Sequence, residues 1–343
     1  MVRIGLIGAG GNTRARHIPG FRAIPGVEIV SVVNRSRESS ERVAAEFGIP
    51  KVANSPEELI ADPDIDAVCI GTWPYRHREY TIRALEEGKH VLCEARMAAN
   101  AEEAEEMLRV SEAHPELVAQ IVPAPFDFRL GPTISRLVRE GAIGALLEAT
   151  VTVLNGSGLD REAPIHWRQR SDYSGHNIMS LGIYAEIVQR WLGDTERVMA
   201  DGAIVVPERR DPETGGRRAV DVPDSFSVLS RLRSGARVSY HLSSVTTGSP
   251  WNGIVISGSE ATIRWSPNDT ATFARHGEEF APLEPDPGTD RGWRVEQDFV
   301  DSILTGAPVR LTNFVDGVKY MRFIDSAWAS WKTGRAVSID PLE

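Results

Sequence analysis

The stretch VRIGLIGAGGNTRARH, residues 2–17, decides the fold. It begins with a short apolar run typical of a buried strand, continues through closely spaced glycines and ends in a helix-compatible segment. A glycine turn in this setting lets the backbone approach a pyrophosphate, and the positive end of the helix attracts its charge. Thr13 replaces the third glycine of the G-x-G-x-x-G pattern, and such a turn also occurs as a purely structural connection. The residues predicted to bind a dinucleotide here are Gly8, Gly10, Gly11, Asn12 and Thr13.

The composition is that of an acidic protein with room for two domains. A chain of 343 residues exceeds one ordinary core, and its net charge of -10 argues against a general nucleic-acid surface, which needs clustered basic residues. The N-terminus lacks the pattern of a secretory signal, and no apolar run is long enough to span a membrane. Cys69 and Cys93 lie in apolar strand-like runs, so we expect buried thiols and a cytoplasmic protein.

Apolar strand-like runs alternate with helix-compatible segments through residues 1–122. This alternation predicts a doubly wound parallel sheet, the α/β Rossmann class. Ligands of such sheets bind beyond the carboxyl ends of the strands. We therefore expect one crevice formed by Gly8 to Thr13, Asn34 to Arg37, Thr72 to His77 and Glu94 to Met97. The further cofactor contacts expected from these segments are Thr72, Trp73, His77 and Glu94.

The residues after the second predicted strand bear on the choice between NAD and NADP. An NAD-binding fold usually presents an acidic residue there to the ribose 2′-hydroxyl, but this chain has Asn34, Arg35 and Ser36. Asn34 does not repel a 2′-phosphate, and Arg35 and Arg37 can pair with one. NADP(H) is therefore favoured over NAD(H), the alternative being a solvated turn with chance arginines. Ser36 is also predicted to cap a helix that Gly48 ends.

Beyond residue 122 the pattern changes to longer alternating runs. They predict an α+β domain over residues 123–343 with a large, mainly antiparallel sheet and one helix layer. The segment Val206 to Asp224, rich in Pro, Gly and Arg, is expected to be an exposed excursion. The predicted strands are Leu147 to Leu154, Ser225 to Leu232, Ala236 to Val245, Ile254 to Ser257 and Thr262 to Trp265.

The segment Gly175 to Trp191 carries the candidate proton-transfer groups of this domain. If it is helical, His176, Ser180 and Tyr184 recur every four residues and share one stripe, which Asn177 flanks. An imidazole exchanges protons near neutral pH, whereas a phenol needs a nearby cation to ionise. The alternative is a satisfied buried histidine and a core tyrosine. Metal-ligand spacing, a G-x-S-x-G motif and a P-loop are all missing from the sequence.

Seven motifs are distributed along the chain: GAGG with His17 downstream, TWPYRH at Thr72 to His77, GKHVLCEARMA at Gly88 to Ala98, GAIGALLEA at Gly141 to Ala149, HWRQ at His166 to Gln169, GIYAEIVQRWLG at Gly182 to Gly193 and the C-terminal SWKTGRAV. Together they resemble the Gfo/Idh/MocA family of NAD(P)-dependent sugar and polyol dehydrogenases. The resemblance covers essentially the whole chain and implies a carbohydrate-like substrate and a homodimer or homotetramer formed through the open face of the second sheet.

The chain departs from the family pattern at two chemically important places. The family motif Glu-Lys-Pro supplies a lysine that contacts cofactor and substrate; here Glu94 is kept, but Ala95 and Arg96 follow it. The family motif Asp-x-Gly-x-His becomes Ser180, a retained glycine and Tyr184. A tyrosine at that last position also occurs in branches resembling glucose-fructose oxidoreductase and dimeric dihydrodiol dehydrogenase.

The sequence as a whole predicts an oxidoreductase that moves a hydride between nicotinamide and a secondary alcohol or ketone of a sugar, cyclitol or glycoside. One alternative is non-redox sugar chemistry, such as epimerisation, elimination or glycoside cleavage, with tightly bound NAD(P). Another is a cofactor-binding protein that has lost catalysis. The catalytic candidates are Tyr184, His176 and Glu94, and the substrate-binding candidates are Arg96, Arg168, Asn177 and Ser180.

Overall fold

The computed structural model describes residues 1–342, which form two compact units. Unit 1 comprises Met1–Pro123 and Arg294–Val318, and unit 2 comprises Ala124–Trp293 and the chain from Lys319 onward. The expected domain boundary after residue 122 lies close to the first of these breaks. The return of the chain to unit 1 through Arg294–Val318 has no counterpart in the sequence-based expectation.

Unit 1 contains a six-stranded sheet in which every neighbouring pair is parallel, with the strand order β3-β2-β1-β4-β5-β6. The predicted doubly wound α/β fold is therefore confirmed, and the strand order reverses between β1 and β4. The strands are β1 (Val2–Ile7), β2 (Val27–Val33), β3 (Lys51–Val52), β4 (Ala67–Ile70), β5 (His90–Cys93) and β6 (Ala119–Ile121). The helices between them are α1 (Ile18–Arg22), α2 (Arg37–Phe47), α3 (Pro56–Ile60), α4 (His77–Glu86) and α5 (Ala101–Ala113).

The local signals of unit 1 act as the residue types predict. All four residues of β4 are buried, as expected for a central strand covered on both faces, and Cys69 and Cys93 are buried free thiols. Ser36 accepts a hydrogen bond from the N–H of Ser39 and so caps α2. Gly48 ends α2 with a φ of 56°, a left-handed conformation that glycine adopts without strain.

Unit 2 is built on a nine-stranded sheet of order β16-β15-β14-β13-β7-β12-β11-β8-β17, in which only β7 and β12 pair in parallel. The predicted α+β domain with a mainly antiparallel sheet is confirmed. Its strands are β7 (Leu146–Leu154), β8 (Thr195–Ala203), β11 (Ser225–Leu232), β12 (Arg237–Ser243), β13 (Trp251–Gly258), β14 (Ala261–Ser266), β15 (Thr270–Arg275), β16 (Ala281–Leu283) and β17 (Val337–Ser338), and a separate pair is β9 (Glu208–Arg210) and β10 (Arg217–Ala219). Its first helices are α6 (Gly131–Arg139), α7 (Ser171–Ser174) and α8 (Leu181–Leu192).

Two further helices complete the chain, α9 (Val295–Thr305) and α10 (Phe314–Thr333). In unit 1, Phe299 of α9 meets Phe21 of α1 edge-on, with ring centroids 6.4 Å apart. In unit 2, Phe323 of α10 packs against Tyr240 of β12, and Trp191 of α8 meets Trp265 of β14. The buried face of the large sheet therefore carries the apolar core of unit 2, with α8 and α10 packed on it.

The segment Val206 to Asp224 is largely exposed, as expected, but it is not without structure. This segment forms the β9–β10 hairpin, in which Arg209 is buried and donates to the carbonyl oxygens of Gly158 and Asp160, at 2.6 and 2.5 Å. Burial of the guanidinium is tolerated because backbone carbonyl oxygens accept hydrogen bonds from its N–H groups. Composition alone did not reveal it, because one buried arginine among several exposed ones has no local sequence signature.

Candidate cofactor and active site

The glycines of the turn after β1 differ in their surroundings. Gly8 has a φ of 84°, and a Cβ there would lie 2.8 Å from Thr72, so packing and backbone geometry require glycine. Apart from neighbouring residues of its own segment, a Cβ on Gly10 would approach no heavy atom of residues 1–342 more closely than the Gly71 carbonyl oxygen, at 3.9 Å, and a Cβ on Gly11 would approach none within 4 Å. Neither has a positive φ. Because no protein atom explains these two glycines, the space over them fits the close approach of a dinucleotide pyrophosphate.

Thr13 turns its side chain into the protein rather than toward a ligand. It is almost fully buried, and its Oγ1 donates to the carbonyl oxygen of Gly8 at 3.3 Å. A Cβ on Gly71, which follows β4, would lie 2.2 Å from that Oγ1 and 2.4 Å from the Gly8 oxygen. Gly71 thus provides the close packing that the missing third glycine provides elsewhere. The Thr13 side chain therefore has a packing role, and a contact of this residue with cofactor stays a prediction.

Asn34 supports the glycine turn from the end of β2. Its Oδ1 accepts a hydrogen bond from the N–H of Ala9 at 2.7 Å, and its Nδ2 donates to the carbonyl oxygen of Ser39 at 3.2 Å. The side chain therefore ties the turn to the start of α2. Ser36 uses its oxygen as the helix cap, so neither side chain is directed to a ribose by these contacts.

The two arginines of this loop differ in their positions. Arg37 donates to the Glu41 carboxylate at 2.7 Å and to Asn54 Oδ1 at 3.0 Å, which holds it along α2 and toward the loop after β3. Arg35 is exposed immediately after β2. Of the basic pair expected to meet a 2′-phosphate, Arg35 is the one whose position at the carboxyl end of the strand fits that role.

His77 joins the loops that follow β4 and β5. It is completely buried, with Nε2 2.9 Å from the Thr72 carbonyl oxygen and Nδ1 3.0 Å from the Arg96 carbonyl oxygen. Burial lowers the pKa of this imidazole, so it is neutral near pH 7. The expectation that His77 contacts cofactor directly is corrected, because the ring braces two loops instead. The Arg96 side chain is itself almost fully buried, and the Ala95–Arg96 peptide bond is cis.

A buried charged cluster lies beside the glycine turn. His17 sits between two carboxylates, with Nδ1 2.5 Å from Glu296 Oε1 and Nε2 3.1 Å from Glu94 Oε1, and Asn12 Nδ2 also donates to Glu94. Burial opposes a charge on His17, but the hydrogen bonds to Glu296 and Glu94 outweigh it and raise the pKa to about 9. His17 is therefore an imidazolium at neutral pH.

These contacts define what Glu94 can do. Burial favours its protonated form, yet hydrogen bonds from His17, Asn12 and the Ala95 N–H lower its pKa. An ionised carboxylate with its oxygens engaged in this way is an anchor for the turn rather than a ready proton acceptor. Sequence reasoning placed Glu94 at the site but missed Glu296, which lies 279 residues from His17 and has no motif to mark it.

The predicted catalytic stripe of unit 2 is wrong in its geometry. The helix α8 begins only at Leu181, because Met179 has a positive φ of 44° and interrupts the helical backbone before it. Ser180 is the N-cap residue and makes no capping hydrogen bond with its side chain. His176 therefore lies on the preceding turn, and only Tyr184 lies on the helix.

His176 is held by two residues of α10 that sequence reasoning missed. Its Nδ1 is 2.8 Å from Asp325 Oδ1, and its ring stacks on Trp328 with centroids 4.9 Å apart and planes inclined by 19°. The side chain is 38% exposed, so this oriented imidazole remains accessible. A carboxylate that orients a histidine is the arrangement expected of a general base.

Tyr184 is buried on α8, with its ring centroid 5.9 Å from that of Phe126. Burial raises the pKa of the phenol to about 12, so the hydroxyl keeps its proton at neutral pH. In that state it is a hydrogen-bond donor to a carbonyl or alkoxide oxygen rather than a base.

The remaining substrate candidates in unit 2 have different surroundings. Asn177 is almost fully buried and donates to the Ser174 carbonyl oxygen at 2.6 Å, which corrects its expected substrate role to support of the turn. Arg168 is exposed, and its guanidinium lies 4.2 Å from the centre of the Trp167 ring. Within residues 1–342, no group of three or more His, Cys, Asp or Glu side chains is arranged to hold a metal ion. No helix in this range has the length and apolar character needed to cross a bilayer.

Comparison with protein-family models assigns both halves of the chain. Residues 2–120 match the model described as "Oxidoreductase family, NAD-binding Rossmann fold", and residues 132–264 match the "GFO/IDH/MocA C-terminal domain". The two matches fall in the parallel-sheet unit and in the large-sheet unit, respectively.

Individual relatives are sugar-acting oxidoreductases by name. The chain is 28% identical over 348 residues to D-xylose 1-dehydrogenase (NADP(+)) 2 of Haloferax volcanii, covering 98% of this chain and 99% of the relative. It is 46% identical over 108 residues to 1,5-anhydro-D-fructose reductase of Ensifer adhaerens, covering 32% of each protein. A solved structure of levoglucosan dehydrogenase has the same fold, with a TM-score of 0.88, 23% identity and coverage of 100% and 99%.

Proposed function

The chain belongs to the Gfo/Idh/MocA family of oxidoreductases, and from this premise we propose that it is a dehydrogenase or reductase that transfers a hydride between NAD(P) and a secondary alcohol or ketone of a sugar, cyclitol or glycoside. The observation that carries the proposal is the open space over Gly10 and Gly11, since packed neighbours explain Gly8 and Gly71 but not these two. The named sugar substrates of the relatives support the substrate class.

The residues of unit 2 divide the proton chemistry between them. When bound, the nicotinamide cofactor accepts or supplies the hydride. Tyr184 keeps its proton and donates a hydrogen bond to the substrate oxygen, whereas His176, oriented by Asp325, accepts the hydroxyl proton during oxidation. Arg168 and Ser180 are the residues of unit 2 that orient the substrate in this proposal. Hydride transfer needs positioning and one proton relay, so Ala95 in place of a lysine is compatible with turnover.

For the cofactor, NADP(H) is the preferred form in this proposal. Asn34 stands where NAD-binding folds usually carry an acidic residue and does not repel a 2′-phosphate, and the charge of the neighbouring Arg35 favours one. The relative from Haloferax volcanii is named for NADP(+), whereas levoglucosan dehydrogenase has been solved with NADH. The family thus includes proteins of both kinds, and the choice in this chain rests on Arg35.

The proposal also covers assembly and compartment. One face of the large sheet is exposed, and we expect a homodimer or homotetramer formed through it. The cytoplasm is the expected compartment, supported by the buried, unbridged Cys69 and Cys93.

The test is to mix the pure protein with NADP+ or NAD+ and a panel of polyols, sugars and glycosides, and to follow the absorbance of reduced nicotinamide near 340 nm. We expect an increase with at least one carbohydrate and a larger response with NADP+. A flat trace across the panel, in both directions and with cofactor demonstrably bound, contradicts the dehydrogenase proposal.

The second candidate is transient oxidation within a tightly bound cofactor complex, leading to epimerisation, elimination or glycoside cleavage. It predicts cofactor that copurifies with the protein and a sugar product formed without net change at about 340 nm. If the protein binds cofactor but has lost catalysis, a Tyr184→Phe, His176→Ala double variant should behave as the wild type in every assay.

A further inference from the structure

Glu296 lies in a different part of the chain from the cofactor turn, yet hydrogen bonds join the two. Its Oε1 is 2.5 Å from His17 Nδ1, the opposite ring nitrogen is 3.1 Å from Glu94, and Glu94 accepts from Asn12. Asn12 directly follows Gly11, over which the space for the pyrophosphate is open. The path therefore runs from α9 to the residue that borders the cofactor space.

The interior of this path is sealed from solvent. His17 has no exposed surface and Glu296 is 2% exposed, whereas the Glu94 side chain is 15% exposed. Helix α1 makes room for the buried carboxylate, because a Cβ on Gly20 would lie 2.6 Å from Glu296 Cδ and Oε2. Gly20 does not have a positive φ, so the backbone alone does not require glycine there. The absence of a side chain at Gly20 leaves space for the Glu296 carboxylate, which explains the glycine at this position.

The segment between the cofactor space and His17 has an unusual winding. Thr13–His17 is a π-helical turn that precedes α1; π turns are rare and often occur at functional sites. His17 is the last residue of this turn, and Asn12, which directly precedes the turn, contacts the same Glu94 oxygen as His17. The Glu94 carboxylate therefore connects the two ends of this turn.

We propose that Glu296 is a positioning residue for the dinucleotide: acting through His17 and Glu94, it holds the Asn12 end of the glycine turn in the conformation that receives the cofactor. This inference rests on the cofactor site of the proposed function and extends it to a residue on a distant segment of the chain. Glu296 itself does not touch the cofactor in this account.

Because His17 is charged at neutral pH, the proposal predicts that cofactor affinity depends on pH. The titratable groups around it are Glu94 after β5, Glu296 on α9 and, next to Glu94, His77 and Cys69. Burial lowers the pKa of His77 and raises that of Cys69 well above its usual value, so both are neutral between pH 7 and pH 9. His17, with a pKa of about 9, loses its proton at the top of this range. Cofactor affinity should therefore fall as the pH rises through about 9.

The experiment measures the Kd for NADPH by fluorescence titration of the full chain at several pH values from 7.5 to about 10, where a 2′-phosphate no longer titrates. Glu296→Gln keeps a hydrogen-bond acceptor for His17 but removes its charge. Loss of one charge-assisted hydrogen bond corresponds to a rise in Kd of roughly tenfold. The alkaline loss of affinity should also move to lower pH. Asp301→Asn, on the same helix α9 but half-exposed, is the matched control and should leave Kd unchanged.

Gly20→Ala provides a second variant that displaces the Glu296 carboxylate without altering its charge, and it should raise Kd in the same direction. If Glu296→Gln lowers the melting temperature but leaves Kd and its pH profile within twofold of the wild type, the inference is overturned. The wild-type pH profile tests the inference without any variant. An affinity that stays unchanged up to about pH 10 contradicts it. Failure of the wild type to bind either cofactor overturns the proposed function as well, so the two failures are distinguishable.

Discussion

The glycines around the cofactor turn show how one residue type serves two purposes. Gly8 and Gly71 are glycines because neighbouring atoms leave no room for a Cβ, and Gly8 also needs its positive φ. Gly10 and Gly11 have room for a side chain and adopt ordinary backbone angles. The sequence pattern grouped Gly8, Gly10 and Gly11 as one motif, but only the structure separates packing from ligand space. Gly71 escaped notice because its partner, Thr13, is distant in the sequence.

Cofactor preference is tested by a pair of arginine variants. Arg35→Ala should raise the Kd for NADP+ by about tenfold through the loss of a charged contact, while changing the Kd for NAD+ by less than twofold. Arg37→Ala is the control, because Arg37 is engaged by Glu41 and Asn54 and should leave both values nearly unchanged. Equal effects of Arg35→Ala on the two cofactors would remove the basis for preferring NADP(H).

His17 makes the stability of the protein depend on pH. The pKa of His17 is raised from 6.5 to about 9 in the folded state. Its contribution to the free energy of unfolding is therefore fully present below pH 6.5 and is lost as the pH rises through about 9. The contribution is on the order of 3 kcal/mol. Urea unfolding at pH 6, 7.5 and 9.5 should show this loss in the wild type, and His17→Gln should show much less of it. A wild-type stability that does not fall over this range contradicts the imidazolium assignment.

At the scale of elements, long segments with clear periodicity were predictable and special backbone geometry was not. The alternation of β11 and the cap of α2 followed from residue type and spacing. The start of α8 did not, because the positive φ of Met179 is unusual for a side chain of its kind. The β9–β10 hairpin was missed since its strands are only three residues long and its anchor is one buried arginine.

The junction between the end of β4 and the glycine turn gives a direct test of packing. Gly71→Ala places a Cβ 2.2 Å from Thr13 Oγ1 and 2.4 Å from the Gly8 backbone oxygen, which cannot move without disturbing the turn. We expect a destabilisation of about 1–3 kcal/mol in urea unfolding. Gly248→Ala is the control, because a Cβ on Gly248 would meet no heavy atom of the described chain within 4 Å apart from its chain neighbours, and its φ is ordinary. Equal stability of the two variants would contradict the packing role of Gly71.

At the scale of the whole molecule, the sequence indicated both fold classes and their order, since each class has its own periodicity. It did not indicate that Arg294–Val318 rejoins unit 1, because the contact of Glu296 with His17 links positions far apart in the chain. Composition likewise gave no sign of which sheet face is exposed. The structure locates it on the large sheet, where Leu229 of β11 pairs across the strands with Met199 of β8.

Assembly through this face can be tested by introducing one charged side chain into it. Leu229 is 65% exposed and Met199 is 53% exposed, so a glutamate at position 229 should prevent a partner from covering this face. We expect the wild type to elute as a dimer or tetramer in size-exclusion chromatography with light scattering, and Leu229→Glu to elute as a smaller species. Leu304→Glu, at a residue that is 62% exposed on α9, should not change the mass. A monomeric wild type, or a Leu229→Glu variant of unchanged mass, contradicts the proposed interface.

The space over Gly10 and Gly11 is the proposed site of the dinucleotide. Calorimetric titration of NADPH into the wild type and Gly10→Ala measures its occupancy. The Cβ of an alanine at position 10 fits the backbone and, apart from neighbouring residues of its own segment, meets no atom of residues 1–342 closer than 3.9 Å, so the melting temperature of the free protein should be unchanged. We expect saturable binding by the wild type and a Kd raised at least about tenfold in Gly10→Ala. Wild-type binding that Gly10→Ala leaves unaltered, or no binding by the wild type, would contradict the proposed site.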